Sequence, residues 1–246
     1  PNNFMAENKK EDANKEAPTG EKSKDGSRPI FKMGKEFYWL IGIILGLAII
    51  FLITLSVLQN MKNFDYQGIS FTKVKYGDTY FYQYDYYVRD RSGNINKYYL
   101  NLQEDPRENN ISVDGKIAFD IREFVYFSIN ETGLKQCKFG EAAVGALAGF
   151  LAGNHLEVRA AVPNEAEAIE RGVKYANCEY APIPDRIVIL LEQGNETKIT
   201  KENNCHRIQI SNCEIFPAVE KFMVQTILDS RESALAKQNQ TIAEGL

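Results

Sequence analysis

The sequence predicts an α+β protein: a single N-terminal transmembrane helix, then an extracytoplasmic domain with a β-meander and a mixed sheet packed by helices. Three observations lead there. An uncharged apolar run occupies residues 37–58, and downstream of it short aromatic and β-branched runs are separated by Gly-Asp and Ser-Gly-Asn. All four cysteines and all four Asn-x-Ser/Thr acceptors follow the apolar run.

Residues 1–35 are Lys, Glu, Asn, Asp, Gly, Ser and Pro with hardly an apolar side chain. Such a segment buries too little surface to offset the entropy of ordering, so a disordered cytoplasmic tail is expected. The chain opens on Pro1 and carries its first methionine at position 5, and no expectation rests on those opening residues.

The transmembrane helix is placed at 36–59. Its uncharged part would span roughly 33 Å at about 1.5 Å per residue, the thickness of a bilayer's hydrocarbon. Phe37, Tyr38 and Trp39, with Lys32 and Lys35 just before them, suit one membrane interface. A long polar stretch precedes the run and no small-x-small cleavage site follows Leu58, so the helix is expected to remain as an anchor. Lys22, Lys24, Arg28, Lys32 and Lys35 before it outnumber Lys62, Lys73 and Lys75 after it, which favours a cytoplasmic N-terminus. Within the helix Gly42 and Gly46 form a G-x-x-x-G pair that would let a second helix approach closely, although glycine is common in membrane helices for other reasons.

The meander part of the domain is assigned to 60–120, with strands at 69–76, 79–89 and 95–102 turned by Gly77-Asp78 and Ser92-Gly93-Asn94. The middle strand carries Tyr80, Phe81, Tyr82, Tyr84, Tyr86 and Tyr87; half-buried faces with wet phenol tips are preferred to a sugar-binding platform. A turn-rich break at 105–110 follows, and Asp114-Gly115 is expected to close a second hairpin.

The remainder, 121–230, reads as β-α-α-β-β-β-α. A central strand at 124–129, apolar on both faces, is stopped by Asn130-Glu131-Thr132-Gly133. The Ala-Gly-rich run 141–153 is too short to cross a bilayer and is expected as a buried helix, with Gly145, Gly149 and Gly153 facing a close neighbour. A second helix is expected at 164–175, with Asn164 as N-cap and Glu165 and Glu167 in its first turn. Strands at 186–191, 197–201 and 206–210 are separated by Gln193-Gly194-Asn195 and Asn203-Asn204, and a helix at 214–230 closes the domain. The polar tail 231–246 is expected to fray.

Four cysteines permit three pairings. Cys205 and Cys213 are nearest in sequence, but they flank a strand that would hold them roughly 26 Å apart at about 3.3 Å per residue, beyond the ~7 Å a disulfide tolerates. The strands starting at 186 and 206 are both antiparallel to the one between them, so they start at the same edge, where Cys178 and Cys205 precede them. The strand at 124–129 joins 186 by a helical crossover and should run parallel, which puts Cys137 and Cys213 together at the opposite edge. The expected bridges are therefore Cys178–Cys205 and Cys137–Cys213, and the glycosylation candidates are Asn110, Asn130, Asn195 and Asn239.

A net charge of −4 gives no reason to expect a nucleic-acid partner. No C-x-x-C or metal-type Cys/His spacing is present, so neither a metal nor a cofactor is expected. There are only two histidines, His155 and His206. Cys205, His206 and Arg207 supply the residue types of a cysteine transpeptidase, but consecutive strand positions point to opposite faces. Asp120, Glu123, Glu179 and Asp185 form no recognisable motif, and phosphate-loop and nucleophile-elbow patterns are missing, so no catalytic residue is assigned. The favoured expectation is a membrane-anchored, non-enzymatic surface component that binds a protein or glycan partner or self-associates. An anchored extracytoplasmic enzyme and an accessory subunit of a membrane complex are the alternatives.

Overall fold

The computed structural model describes residues 34–60, 62–90, 92–119, 124–138, 140–180 and 186–244. The expected tail 1–35 lies almost entirely outside the described residues. Among those described, the chain is α+β, with four α-helices and two sheets, and it divides into two units at Leu52.

Helix α1 (Lys35–Asn60) contains Phe37–Val57, which is long and apolar enough to cross a membrane. Its large apolar side chains are exposed on every side, Trp39 at 75% and Leu52 at 63%, the distribution that a membrane-crossing helix requires.

The first sheet is an antiparallel meander of β1 (Asn63–Tyr66), β2 (Ile69–Tyr76), β3 (Thr79–Arg89) and β4 (Ile95–Leu102), neighbours in that order. Gly77 and Gly93 take left-handed conformations in the β2–β3 and β3–β4 turns, and the Asp90 carboxylate accepts from Ser92 N and Asn94 N to fix the second. Strand β1 was not expected. Asn63-Phe64-Asp65-Tyr66 is short and half polar, and its pairing is local, helped by the Ser70 hydroxyl donating to Asp65.

The second sheet holds β5 (Ser112–Asp114), β6 (Phe124–Ile129), β7 (Glu157–Val162), β8 (Lys174–Tyr175), β9 (Arg186–Gln193), β10 (Lys198–Glu202) and β11 (Cys205–Ile210), in the order β5-β10-β11-β9-β6-β7-β8. It is mixed: β11, β9, β6, β7 and β8 run parallel to one another and β10 runs antiparallel to β11. Strand β9 is buried on both faces from Ile187 to Leu191, which explains its unbroken apolar run, while β6 is buried on one face and half-buried on the other.

Several expectations need correction. Ser112–Asp114 is not half of a hairpin at Asp114-Gly115; it pairs parallel with β10, a partner distant in sequence. The two central helices are not consecutive, because β7 lies between α2 (Gly140–Gly153) and α3 (Glu165–Arg171), and β8 follows α3. Residues 164–175 are thus only partly helical. Asn164 caps the start by accepting from Glu167 N, and Gly172, in the left-handed region, ends the helix before β8. The face of α2 turned to the core is Ala143, Leu147, Phe150 and Leu151; of the three glycines expected to face a close neighbour, Gly145 and Gly149 meet nothing within 4 Å and Gly153 lies against the Tyr98 ring. Finally α4 (Ile215–Glu244) runs beyond Ser230, because Ala, Leu, Lys and Gln continue the helix cheaply once packing has started it.

One core joins both sheets. Ile69, Phe71, Leu100 and Leu102 of the meander belong with Val125, Phe127, Ile189, Ile208 and Ile210 of the second sheet, through Leu147 and Leu151 of α2 and Val219 and Phe222 of α4. A smaller cluster of Ala161, Ala176, Val188, Leu190 and Cys205 fills the other face of the second sheet, where the buried Ser128 hydroxyl donates to the Ala176 carbonyl at 2.6 Å.

Candidate functional site

Strand β6 leaves the sheet toward β7 on one side, whereas β9 leads to β10 and β11 on the other. The chain therefore diverges at the carboxyl ends of β6 and β9, the kind of switch point at which open sheets with parallel strands form crevices. The ends are in register, Ile129 beside Leu191, with Asn130 N donating to the Leu191 carbonyl at 2.8 Å.

A crevice of about 860 Å³ opens there, walled by Ile129, Leu134, Val144, Leu191 and Ile215 and by the Cys137 bridge, with Glu131, Lys135 and Glu141 at its rim. That volume suits a small ligand or a side-chain cluster from another chain. Glu131 pairs with Lys135 and with Arg171, each at 2.8 Å, and Arg171 also pairs with Glu167 at 3.3 Å. Lys135 first, then Arg171, hold the Glu131 carboxyl below the usual glutamate range. Glu131 and Lys135 are thus engaged with one another and with Arg171 over apolar walls, an arrangement that suits holding an apolar group better than moving a proton.

Two disulfides are present, Cys137–Cys213 and Cys178–Cys205, with Cα separations of 5.2 and 5.3 Å. The first joins the loop after β6 to the residues before α4 beside the crevice; the second ties the 3-10 turn at Cys178–Tyr180 to the start of β11. Of the sequon asparagines, Asn110 and Asn195 are exposed in loops, Asn239 is exposed on α4, and Asn130 is half-buried after β6, its side chain accepting from Thr132 N. Gly42 and Gly46 meet nothing within 4 Å.

The other residues considered for chemistry are dispersed. Cys205 is bridged, Arg207 pairs with Glu192, and His206 is buried between the Phe119 and Phe222 rings, so three consecutive residues face three surroundings. Burial holds His206 neutral, its pKa lowered to about 3, and Nδ1 has no hydrogen-bond partner among the described residues. His155 packs edge-on to Tyr98 at a helix end. Glu179 is exposed, while Asp120, Glu123 and Asp185 lie outside the described residues. Among the described residues no group of three or more His, Cys, Asp or Glu is placed to hold a metal.

The carboxylate that sequence reasoning missed is Glu220. On α4 it is 3% exposed and accepts from Gln103 N at 2.6 Å and Glu104 N at 3.1 Å, clasping the end of the meander. Burial raises its pKa to about 7, against the lowering effect of those two donors. The apolar positions of α4 recur at helical spacing around Glu220, so a charge amid that face was the available signal.

No protein-family profile matches this chain, and neither the curated proteins nor the solved structures return a match.

Proposed function

We propose that the chain is a single-pass membrane protein, with its N-terminus cytoplasmic and its domain on the oxidising side, and that the domain is a binding module whose partner seats an apolar group in the crevice between β6 and β9. The crevice carries this reading: apolar walls at a switch point, with its rim ion pairs engaged internally. The two bridges and the apolar helix are consistent with an extracytoplasmic domain. The excess of basic residues before the helix supports the orientation. Asn110 and Asn195, exposed in loops, are the strongest candidates for glycans.

The test uses the full chain in its native membrane with a photo-reactive side chain at the exposed rim position Ala142. A discrete adduct is expected, and it should vanish when Val144→Trp fills the crevice. No adduct, or one insensitive to Val144→Trp, rejects the crevice as the binding site. A non-reducing peptide map of the same preparation tests the compartment, and four free thiols would reject the oxidising side.

A second reading has its own observation. Gly42 and Gly46 meet nothing within 4 Å on a lipid-facing helix, so a second copy or another helix could pack there. Replacing both with Leu should abolish detergent-resistant association if this is the contact.

A further inference from the structure

We propose that the tip of the β2–β3 hairpin is a membrane-contact element, seated among the phosphate headgroups of the leaflet in which α1 ends. The proposal rests on α1 spanning a bilayer.

The hairpin projects from its sheet on both sides. Strand β1 pairs with β2 only as far as Thr72, opposite Asn63, and β4 pairs with β3 only from Tyr82, opposite Leu102. Among the described residues, 74–81 therefore form a two-stranded ribbon with no third strand, a form that is marginal in water without a surface to lie on.

The register also gives the direction in which the ribbon points. Lys73 N donates to the Lys62 carbonyl at 2.6 Å, carrying the β1–β2 ladder one step nearer α1, which ends at Asn60. The chain arriving from the helix thus already runs alongside β2 at Lys62. Because β2 is antiparallel to it, the strand beyond Lys73 heads back along the path by which the chain arrives. Tyr76 lies three residues further on, about 10 Å at ~3.3 Å per residue. Val57, the last residue of the apolar span, precedes Lys62 by at most about 12 Å of chain, three helical steps and two that reach no further than ~3.6 Å each. The two lengths match, so the tether keeps the tip within reach of the interface.

The side chains suit that place. Tyr76 is 56% and Tyr80 51% exposed, and the Phe81 ring sits 5.8 Å from that of Tyr76. The Lys73 ammonium lies 4.9 Å and the Lys75 ammonium 5.5 Å from the Tyr80 ring centre, cations held beside aromatic bodies that could lie at headgroup level. With Lys62 they outnumber the carboxylate at the apex, Asp78, and face lipid phosphates with favourable charge. The other end of β3 differs: Tyr87 lies seven residues from Tyr80, roughly 23 Å away, beside the exposed Asp85–Lys97 ion pair.

The full chain is reconstituted in phosphatidylcholine–phosphatidylglycerol vesicles containing lipids brominated either near the headgroup end or near the methyl end of the acyl chain. Trp39 is the only tryptophan, so its own quenching reports whether α1 is in the bilayer. In a Trp39→Phe background, Tyr76→Trp should be quenched more by the shallow bromine than by the deep one, and Tyr87→Trp by neither. Adding Lys73→Glu with Lys75→Glu should remove the Tyr76→Trp quenching. If Trp39 in the unaltered chain is not quenched, the anchor fails and the hairpin's placement fails with it. If Trp39 is quenched but Tyr76→Trp is not, or Tyr87→Trp is quenched equally, the hairpin contact alone is overturned.

Discussion

The two sheets are held in place by different physics. The seven-stranded sheet joins segments distant in sequence, pairing Ser112 with Lys198 and Phe124 with Arg186, and both disulfides attach to its edges. The meander pairs only chain neighbours and carries no bridge. It is docked instead by α4: Glu220 accepts from Gln103 N and Glu104 N, Lys221 donates to the Asn109 carbonyl in the loop that follows, and Arg231 donates to Gly68 O. Non-local pairing is slow and entropically costly to form, so covalent closure helps most there; a local meander needs only a clasp. The two regions should therefore fail separately.

The largest effect is expected from the bridges. Cys137 and Cys213 are 76 residues apart, and replacing both with Ser should cost about 4.5 kcal/mol on loop-entropy reasoning. Replacing Cys178 and Cys205, 27 apart, should cost somewhat less, about 3.5 kcal/mol. Denaturant unfolding of the detergent-solubilised chain measures both. Equal or reversed costs would mean that native-state packing, not loop closure, decides.

Glu220→Leu should cost about 2 kcal/mol, because the part-buried N–H groups of Gln103 and Glu104 lose their acceptor while a buried carboxylate is removed. Its signature is local: amide exchange at Gln103, Glu104 and along β4 should speed up while β6 and β9 stay protected. Uniform acceleration would show that the sheets unfold as one unit.

Acidity should separate the regions further. Glu220 has a folded pKa of about 7, above its unfolded value, so its contribution to stability is full below about pH 4.5 and is lost as pH rises toward 7. Glu104 is raised too, by burial and then by Glu214 and Glu108, and acts in the same direction. His206 does the reverse. Its folded pKa of about 3 lies below its unfolded one, so its contribution is full above about pH 6.5 and is lost as pH falls. Each proton is worth about 1.4 kcal/mol per pH unit, so the two slopes oppose one another between about pH 4.5 and 6.5. The unaltered protein should have a shallow stability profile there; Glu220→Gln should lose stability on acidification and His206→Phe should gain it. Parallel profiles in both variants would reject the opposing-charge account.

The same contrast explains what was legible in the sequence. The three longer meander strands could be read from their own turns, because Gly77-Asp78 and Ser92-Gly93-Asn94 lie between residues that pair with each other. Strands β5, β7 and β8 could not be read: β5 and β8 are only three and two residues long, and β7, Glu-Val-Arg-Ala-Ala-Val, mixes charges with alanines that carry little strand signal. The disulfide partners were legible because they follow from strand direction alone, with β9 parallel to both β6 and β11. The crevice was not, since Ile129, Leu134, Leu191 and Ile215 meet only once β6, β9 and α4 are assembled.

The smallest expected effect concerns α3, whose ends are written locally although it sits amid the non-local region. Asn164 Oδ1 accepts from Glu167 N at 3.1 Å, and Gly172 ends the helix at φ 65° with its N–H turned back to Ala168 and Ile169. Asn164→Ala should cost about 1 kcal/mol through the lost cap, and Gly172→Ala about 1 kcal/mol through the left-handed backbone. If stability in the second sheet comes chiefly from its bridges and two-sided core, neither change should alter exchange at β6 or β9, and each should fray only α3 and β8. Loss of protection reaching β6 would mean that local capping supports the non-local sheet, and the division between the two regions would fall.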